Sequence, residues 1–285
     1  MTSEFSIGEQ VTVALSRQFR DGDTCFTGLT TGPGAVLFGT CIPLAAMALA
    51  QQTHAPNLTI LFAGWSVNPQ LSRLTRLPDL EFANEFMSMP AEAHITGYPN
   101  SIGYKRGDVT VGFSVGAQVD RYGSLNSTLI GDIALPKVRL VGPILQPLHF
   151  THFGREFVMM PRHDSLTFVE SVDYRSGAGH QLTREERAAA GLNPDAGPAL
   201  VVTPLGLFAF DGPGRSMSAL SLNPGVTPDQ VRENTGFEVA GLDEAPTTAE
   251  PTEEELRILR TSVDPNNVLG LRDVDISAVA PREKA

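Results

Sequence analysis

The stretch from Thr24 to Phe62 constrains the fold most, because short apolar runs alternate in it with a glycine turn and a helix. Thr24–Thr31 is a short, partly β-branched run, and Gly32-Pro33-Gly34 follows it. An alanine-rich segment then extends to about Gln52, and Asn57–Phe62 has the length and β-branching of a fully buried strand. Strand, turn, helix and strand in succession predict a βαβ unit, and therefore an α/β fold with a parallel sheet.

Further short strands are expected to complete this sheet. Apolar runs bounded by turn residues predict strands over Asp108–Ser114, Thr128–Ile133 and Ser165–Val172, and a hairpin or bent strand pair over Ala199–Pro204 and Gly206–Phe210.

Helix starts are marked by their capping residues. The first helix is predicted within Gly8–Arg20 from its apolar spacing. Capping boxes, in which a hydroxyl and a later side-chain oxygen bind the first backbone N–H groups, predict helices after Thr183, Thr227 and Thr252. We expect one α/β domain over residues 1–242, followed by a linker and a C-terminal helical arm over 243–285.

Composition excludes several classes of function. The formal net charge of -11 argues against nucleic acid as a partner, because phosphate binding needs a basic face. Two cysteines, Cys25 and Cys41, cannot build a disulfide framework, and the first ten residues have no apolar core of a signal peptide. The longest apolar stretch, Ala35–Ala50, contains Gly39 and Pro43, which we expect to break it, and we expect it to be too short to span a bilayer. We predict a cytoplasmic protein that contacts no membrane.

A polar loop follows the apolar run Val109–Val115. It begins at Gly116 and offers an amide, a carboxylate, a guanidinium and a phenol within seven residues, at Gln118, Asp120, Arg121 and Tyr122. Ligands bind open α/β sheets beyond the carboxyl ends of the strands, so this loop is a candidate ligand site.

Other candidate motifs are weaker. In the glycine segment Gly28–Gly34, Pro33 interrupts the pattern and removes a backbone donor, and neither this segment nor Gly39–Pro43 is followed by the acidic residue of a dinucleotide fingerprint. His149, His152 and His163 have no cysteine or acidic residue at a spacing typical of metal sites. These imidazoles suit either a general base or a structural or surface role. We therefore predict no metal and no cofactor apart from coenzyme A within the substrate.

Several segments together resemble the family I CoA-transferases, specifically the β subunit of the glutaconate CoA-transferase type. They follow the family's order and span roughly residues 8 to 272, and they are Gly39–Met47, Thr53–Thr59, Gly116–Asp132, Val172–Tyr174, Ser221–Asp229 and Asp264-Pro265. The C-terminal part is most similar to the actinobacterial steroid-ring hydrolases of this family.

The resemblance implies an open, mainly parallel α/β fold that pairs with a homologous α-type subunit and holds an acyl-CoA at the subunit interface. In the transferases of this family, a glutamate after the strand matching Asn57–Phe62 attacks the thioester. This chain has Ala63-Gly64-Trp65 there, and a methyl group cannot attack a carbonyl. The family's small glycine-rich loop is replaced by the bulky Gly142–Phe153.

These departures indicate a reshaped pocket and a different reaction. We expect Gln118 and the backbone of Gly116 and Ala117 to donate hydrogen bonds to the thioester oxygen. Water is expected to be activated by an acid or a histidine, with His149 and His152 as the candidates on this chain and the partner chain as an alternative source. The predicted acyl-binding residues are Ala63, Gly64, Trp65, Phe153 and Arg121. A purely structural role for Asp120, Arg121, Tyr122 and Asn126 remains an alternative.

Three hypotheses for the function remain open. The favoured one is a β subunit that processes an acyl-CoA by hydrolysis, C–C bond cleavage or decarboxylation. The second is a genuine CoA-transferase whose carboxylate comes from elsewhere, the nearest acids being Asp79, Glu81 and Glu85. The third is a non-catalytic subunit that completes its partner's active site.

Overall fold

The computed structural model describes residues 4–30, 32–63, 66–78, 88–94 and 108–274. They form two compact units. The first unit runs to Phe113 and resumes at Ala249, and the second comprises Ser114–Thr248. The described part of the predicted C-terminal arm, from Ala249 onward, therefore belongs to the first unit. The domain boundary at residue 242 stays a prediction.

The described α-helices, in chain order, are α1 (Ile7–Ser16), α2 (Pro33–Val36), α3 (Ile42–Thr53), α4 (Gln146–His152), α5 (Arg184–Ala189), α6 (Pro228–Glu233) and α7 (Glu253–Ile258). The described strands are β1 (Thr24–Thr27), β2 (Thr59–Phe62), β3 (Ser66–Pro69), β4 (Ala91–His94), β5 (Val111–Val115), β6 (Gln118–Val119), β7 (Leu125–Asn126), β8 (Leu129–Gly131), β9 (Pro136–Arg139), β10 (Arg155–Met159), β11 (Pro198–Val202), β12 (Gly206–Ala209) and β13 (Ser218–Leu222).

The first unit contains the predicted βαβ arrangement. Its strands follow the order β4-β3-β2-β1-β5, and β1 pairs in parallel with both β2 and β5. Strands β3 and β4 continue the sheet in antiparallel register. Helix α3 packs against β1 and β2, and α1 packs against α3. The prediction of an α/β fold with parallel strands and flanking helices is confirmed.

The helix that leads into α3 is not broken at Gly39 or Pro43, so that expectation was wrong. A π-helical turn over Leu37–Cys41 joins α2 to α3. Proline removes the N–H that would bind the carbonyl four residues earlier, and the Thr27 hydroxyl donates to that carbonyl, Gly39 O, at 2.7 Å. Residues Gly34–Thr53 are long and apolar enough to cross a membrane by length and composition alone. The helix is 72% buried, however, as a core helix of a soluble protein is.

Two ion pairs fasten the C-terminal segment to α1. Arg260 donates to both carboxylate oxygens of Glu9, at 2.7 and 2.8 Å, and Arg17 donates to both oxygens of Glu255, at 2.9 and 2.6 Å. Burial acts to raise the pKa of Glu9, but the hydrogen bonds from Arg260 and the Ser6 N–H outweigh it and hold the pKa below 4.5. These ion pairs therefore hold the C-terminal segment to α1 and help to stabilise the first unit.

The second unit is built on β10, which pairs in parallel with β11. Strands β12 and β13 add antiparallel neighbours, so the hairpin predicted over residues 199–210 is confirmed. This unit also contains two small antiparallel hairpins, β6–β7 and β8–β9. Its core is aromatic and aliphatic, with Phe150, Phe168 and Phe208 fully buried.

In the second half of the chain, the helix starts predicted from capping boxes were confirmed and one predicted strand was wrong. All three predicted capping boxes form, at Thr183, Thr227 and Thr252. The strand predicted over Ser165–Val172 was wrong, because only Phe168 makes a β-bridge. The Asp164 carboxylate accepts the N–H groups of Leu166 and Thr167, both at 3.0 Å, and so offers the backbone a turn instead of a ladder.

Candidate active site

Gly116 lets the β6–β7 hairpin close tightly against the end of β5. A Cβ atom at this position would lie 2.4 Å from Leu125 Cδ1 and 2.9 Å from Asn126 O. The next residue, Ala117, donates its N–H to Asn126 O at 2.7 Å. This N–H is therefore occupied in the structure and is not available to a thioester oxygen.

Gln118 is held by an amide and carboxylate network. Its Oε1 accepts from Asn126 Nδ2 at 2.7 Å and from the Asp173 N–H at 3.0 Å, and its Nε2 donates to Asp173 Oδ2 at 3.2 Å. The side chain is buried. Among the described contacts, only one of the two N–H bonds of the Gln118 amide donates a hydrogen bond. The second N–H bond of this amide can therefore donate to a ligand. Its role toward a thioester stays a prediction.

The turn of the hairpin is organised by Asp120. One carboxylate oxygen accepts the N–H groups of Tyr122 and Ser124, each at 2.9 Å, and the other accepts Gln181 Nε2 at 3.0 Å. Burial raises the pKa of Asp120 in spite of these hydrogen bonds. The contacts favour the structural alternative for Asp120.

Arg121 lies at this turn, at the far end of the hairpin from Gly116. Its guanidinium pairs with Glu170 at 2.5 Å. Arg121 and Tyr122 also line a shallow surface pocket, whose other walls are Pro213, Ser216, Glu238 and Ala240. Gly116 and Gln118 do not line this pocket.

Helix α4 carries His149 and His152. It starts after Leu145 with Pro147 in its first turn, where a missing N–H costs nothing. The imidazole of His149 is buried and stacks on Phe153, with ring centroids 4.4 Å apart. His152 Nδ1 instead lies 2.8 Å from Thr151 Oγ1. The structure therefore brings His149 and Phe153 together and places His152 in different surroundings.

A buried glutamate that the sequence reasoning missed lies beside His149. Glu156 is in β10 with no exposed surface, and its Oε1 accepts the Ser114 hydroxyl at 2.5 Å. The same oxygen lies 3.4 Å from His149 Nδ1. Within the described residues Glu156 has no lysine or arginine partner, and its Oε2 has no hydrogen bond. We call Ser114, Glu156 and His149 the buried triad.

The geometry of the buried triad suits a general base. A carboxylate next to Nδ1 favours the tautomer with the proton on Nδ1, which leaves Nε2 to accept a proton. When Nε2 takes that proton, the positive imidazolium lies beside the Glu156 carboxylate, which has no lysine or arginine partner among the residues that the structure describes. A buried charge of this kind is stable only with such a partner.

The buried triad and the Gln118 network are joined at the carboxyl end of β5. Gln146, the first residue of α4, donates from Nε2 to Val115 O at 2.8 Å. Its Oε1 accepts the Ser127 hydroxyl at 2.6 Å. Val115 follows Ser114, and Ser127 follows Asn126, so one continuous set of hydrogen bonds holds both groups in place. This part of the second unit is the candidate active site.

Ala63 ends β2 in the first unit and has an unusual backbone. Its φ is 51°, in the left-handed region that L-residues rarely adopt, and its N–H donates to Thr27 O at 2.7 Å. Such strain costs about 1–3 kcal/mol and concentrates at functional sites. Gly64 and Trp65, the other predicted acyl-binding residues here, lie outside the described residues, as do Asp79, Glu81 and Glu85.

The other ionisable groups considered are structural. His163 donates or accepts at both ring nitrogens, with Thr203 at 3.1 Å and Thr235 at 2.9 Å, and burial lowers its pKa to about 3. Burial, with a smaller contribution from Asp264, raises the pKa of the Cys41 thiol to about 12, so it is no nucleophile at neutral pH. Over the ranges that the structure describes, no three potential metal ligands cluster.

Comparison with known proteins shows which family this chain is similar to. A sequence profile described as coenzyme A transferase matches residues 9–234. The chain is 31% identical to the B subunit of the 3-oxoadipate CoA-transferase of Pseudomonas knackmussii, covering 90% of this chain and 93% of that protein. It is 35% identical to the cholesterol ring-cleaving hydrolase IpdB subunit of Rhodococcus jostii, covering 74% and 85%. The crystal structure of glutaconate coenzyme A-transferase from Acidaminococcus fermentans superimposes with a TM-score of 0.76 at 26% identity, covering 94% and 98%.

Proposed function

The chain belongs to the coenzyme A transferase family, and on that premise we propose that it is the B-type subunit of a heteromeric enzyme that cleaves an acyl-CoA with water. The proposed partner is a homologous α-type subunit, since the curated relatives are themselves named as subunits. The proposed substrate is an acyl-CoA thioester. A cytoplasmic location is consistent with two buried free thiols, Cys25 and Cys41.

The observation that carries this proposal is the residue at the end of β2. The resemblance places the nucleophilic glutamate of the transferases at this position, and this chain has Ala63. The strained backbone with φ of 51° is present at that turn, but its side chain is a methyl group. Ping-pong transfer needs a carboxylate that can form an anhydride, so hydrolytic chemistry is favoured for this subunit.

The buried triad supplies a base for such chemistry. In the proposed reaction His149 Nε2 takes a proton from water, and the resulting hydroxide bonds to a carbonyl carbon β to the thioester. The adjacent C–C bond breaks, and its electron pair forms the thioester enolate. The second N–H of the Gln118 amide donates to the enolate oxygen. The imidazolium then returns its proton to the carbon, so charge and atoms balance.

Two alternatives stay within the family. The similarity to the B subunit of 3-oxoadipate CoA-transferase favours a genuine transferase whose carboxylate comes from another segment or from the partner. Decarboxylation is the second, because it needs only the donors that stabilise a dienolate. A third hypothesis is that this subunit is a scaffold without catalytic residues, and the same experiments test it.

Solvent-oxygen labelling separates these reactions. The chain is co-expressed with an α-type subunit from the same genome, and the complex is incubated with a panel of β-oxo and unsaturated dicarboxylyl-CoA thioesters in H₂¹⁸O. We expect one ¹⁸O atom in the product acid, read by mass spectrometry.

The alternatives give different products. Loss of carbon dioxide without ¹⁸O would indicate the decarboxylase. Exchange of CoA onto an added acid, with a borohydride-reducible glutamyl thioester on this chain, would refute the proposal in favour of a transferase.

A further inference from the structure

The β8–β9 hairpin and the turn after it expose an unusual amount of apolar surface. Among the described residues, five of the eight large exposed hydrophobic side chains lie within this one stretch, and they are Ile133, Leu135, Val138, Val141 and Ile144. Leu135 is 84% exposed and Ile144 is 77% exposed. We call these five side chains the hairpin surface. Contiguous apolar patches of this kind on folded chains mark interaction sites.

Hydrogen bonds hold the hairpin surface in a defined shape. Strands β8 and β9 pair in antiparallel register, with Leu129 opposite Arg139 and Ile130 opposite Val138. The backbone pairing continues beyond the ladder, because Leu140 donates its N–H to Thr128 O at 3.0 Å and Gly142 donates to Ser127 O at 2.9 Å. A preformed surface loses little conformational entropy when a partner binds.

The charged side chains around the hairpin surface indicate what kind of partner it can bind. Lys137 and Arg139 are exposed on β9, whereas the chain as a whole carries a formal charge of -11. Two copies of this chain joined through the same surface would bring two sets of Lys137 and Arg139 into one contact, with only the exposed Asp132 of each copy to offset them. Such a contact between like charges is unfavourable. A different chain with an apolar patch flanked by carboxylates is complementary.

The hairpin surface is also continuous with the candidate active site. Ser127 Oγ donates to Gly142 O at 3.1 Å and to Gln146 Oε1 at 2.6 Å. Gln146 is the first residue of α4, the helix that carries His149. A partner bound over residues 141–144 would therefore lie next to the start of that helix.

From these observations we infer that the hairpin surface is the docking site of the α-type subunit, through an apolar and acidic patch on that subunit. The inference rests on the proposed function for the identity of the partner. It goes beyond that function by assigning the contact to one segment of the chain.

Charge substitutions test the inference. Leu135→Lys and Val141→Lys place a cation in the middle of the hairpin surface, and Leu182→Lys is the matched control, an exposed leucine outside it. Separately purified chain and α-type subunit are mixed, and the Kd is measured by isothermal titration calorimetry. We expect a Kd at least about tenfold higher for the two surface variants and unchanged for the control.

Folding and self-association are checked on the same samples. Because all three side chains are exposed, the urea midpoints should match that of the unsubstituted chain. Unchanged binding by the folded surface variants would overturn the inference. So would an isolated chain that forms a dimer in sedimentation experiments and loses it on Leu135→Lys, since a second copy would then be the occupant.

The test of the docking site and the test of the proposed function can fail independently of each other. A complex that depends on the hairpin surface but converts no acyl-CoA would refute the function and leave the docking site in place. An active complex that tolerates both surface variants would refute the docking site alone.

Discussion

Replacing Glu156 by glutamine removes the negative charge of the buried triad while keeping its shape. The amide oxygen still accepts the Ser114 hydroxyl, which lies 2.5 Å from Oε1, and it remains 3.4 Å from His149 Nδ1 in the same geometry. What is lost is the attraction between the carboxylate and the imidazolium that forms when His149 takes a proton from water.

The size of that loss follows from the separation of the two groups. Two unit charges about 4 Å apart attract by about 4 kcal/mol at an effective dielectric constant of about 20. In the proposed reaction the imidazolium forms after the substrate has bound, so this energy affects the barrier and not the substrate affinity. At about 1.4 kcal/mol per factor of ten, we expect kcat to fall by about 10³-fold, with KM unchanged.

Turnover of the complex with the α-type subunit measures this effect, and Glu244→Gln serves as the control because Glu244 is an exposed glutamate in the same unit. The variant should unfold at about the same urea concentration as the unsubstituted chain, since the amide keeps the volume of the side chain and the hydrogen bond from Ser114. The tautomer of His149, read from ¹⁵N chemical shifts of its ring, gives a signature independent of turnover. A folded Glu156→Gln complex with kcat within about threefold of the unsubstituted enzyme would refute the base assignment.

Three further predictions concern stability. Gly116→Ala should lower the free energy of unfolding by about 1–3 kcal/mol in urea titrations, because its Cβ would lie 2.4 Å from Leu125 Cδ1, and an unchanged midpoint would contradict the close approach. Thr27→Val should cost about 1–3 kcal/mol by removing the donor to Gly39 O, and less in a Pro43→Ala background that restores an N–H; equal losses in both backgrounds would show that the two positions are not coupled. Glu9→Gln should cost about 1–3 kcal/mol at pH 7. Because the pKa of Glu9 is lowered in the fold, its contribution is fully present above the usual value of 4.5 and is lost as the pH falls through the lowered value, so a difference from the unsubstituted chain that did not shrink on acidification from pH 7 would oppose the ion-pair explanation.

Much of the fold was predictable because its signals are local. A capping box lies within four consecutive residues, and the boxes at Thr183, Thr227 and Thr252 all formed. The βαβ unit was predictable for a related reason, since periodicity and glycine turns report directly on the backbone of the same segment. The segments that carry the family resemblance likewise led to the correct family.

The errors came from places where a distant or neighbouring side chain competes with a local preference. Pro43 did not break its helix, because Thr27 donates to the carbonyl that proline leaves without a donor. Residues 165–172 did not form a strand, because Asp164 binds their N–H groups. In both cases side-chain hydrogen bonds, each contributing about 1 kcal/mol, act against a local preference of about 1–3 kcal/mol.

The sequence by itself determined the family, the alternation of strands and helices, and the absence of a carboxylate at Ala63, because each is a property of residue order. Only the tertiary structure revealed the buried triad. Ser114 and Glu156 are 42 residues apart in the chain and come from different strands, and no spacing rule connects them. Burial in a low-dielectric core turns that pair and His149 into one interacting unit, and burial is a property of the folded chain alone.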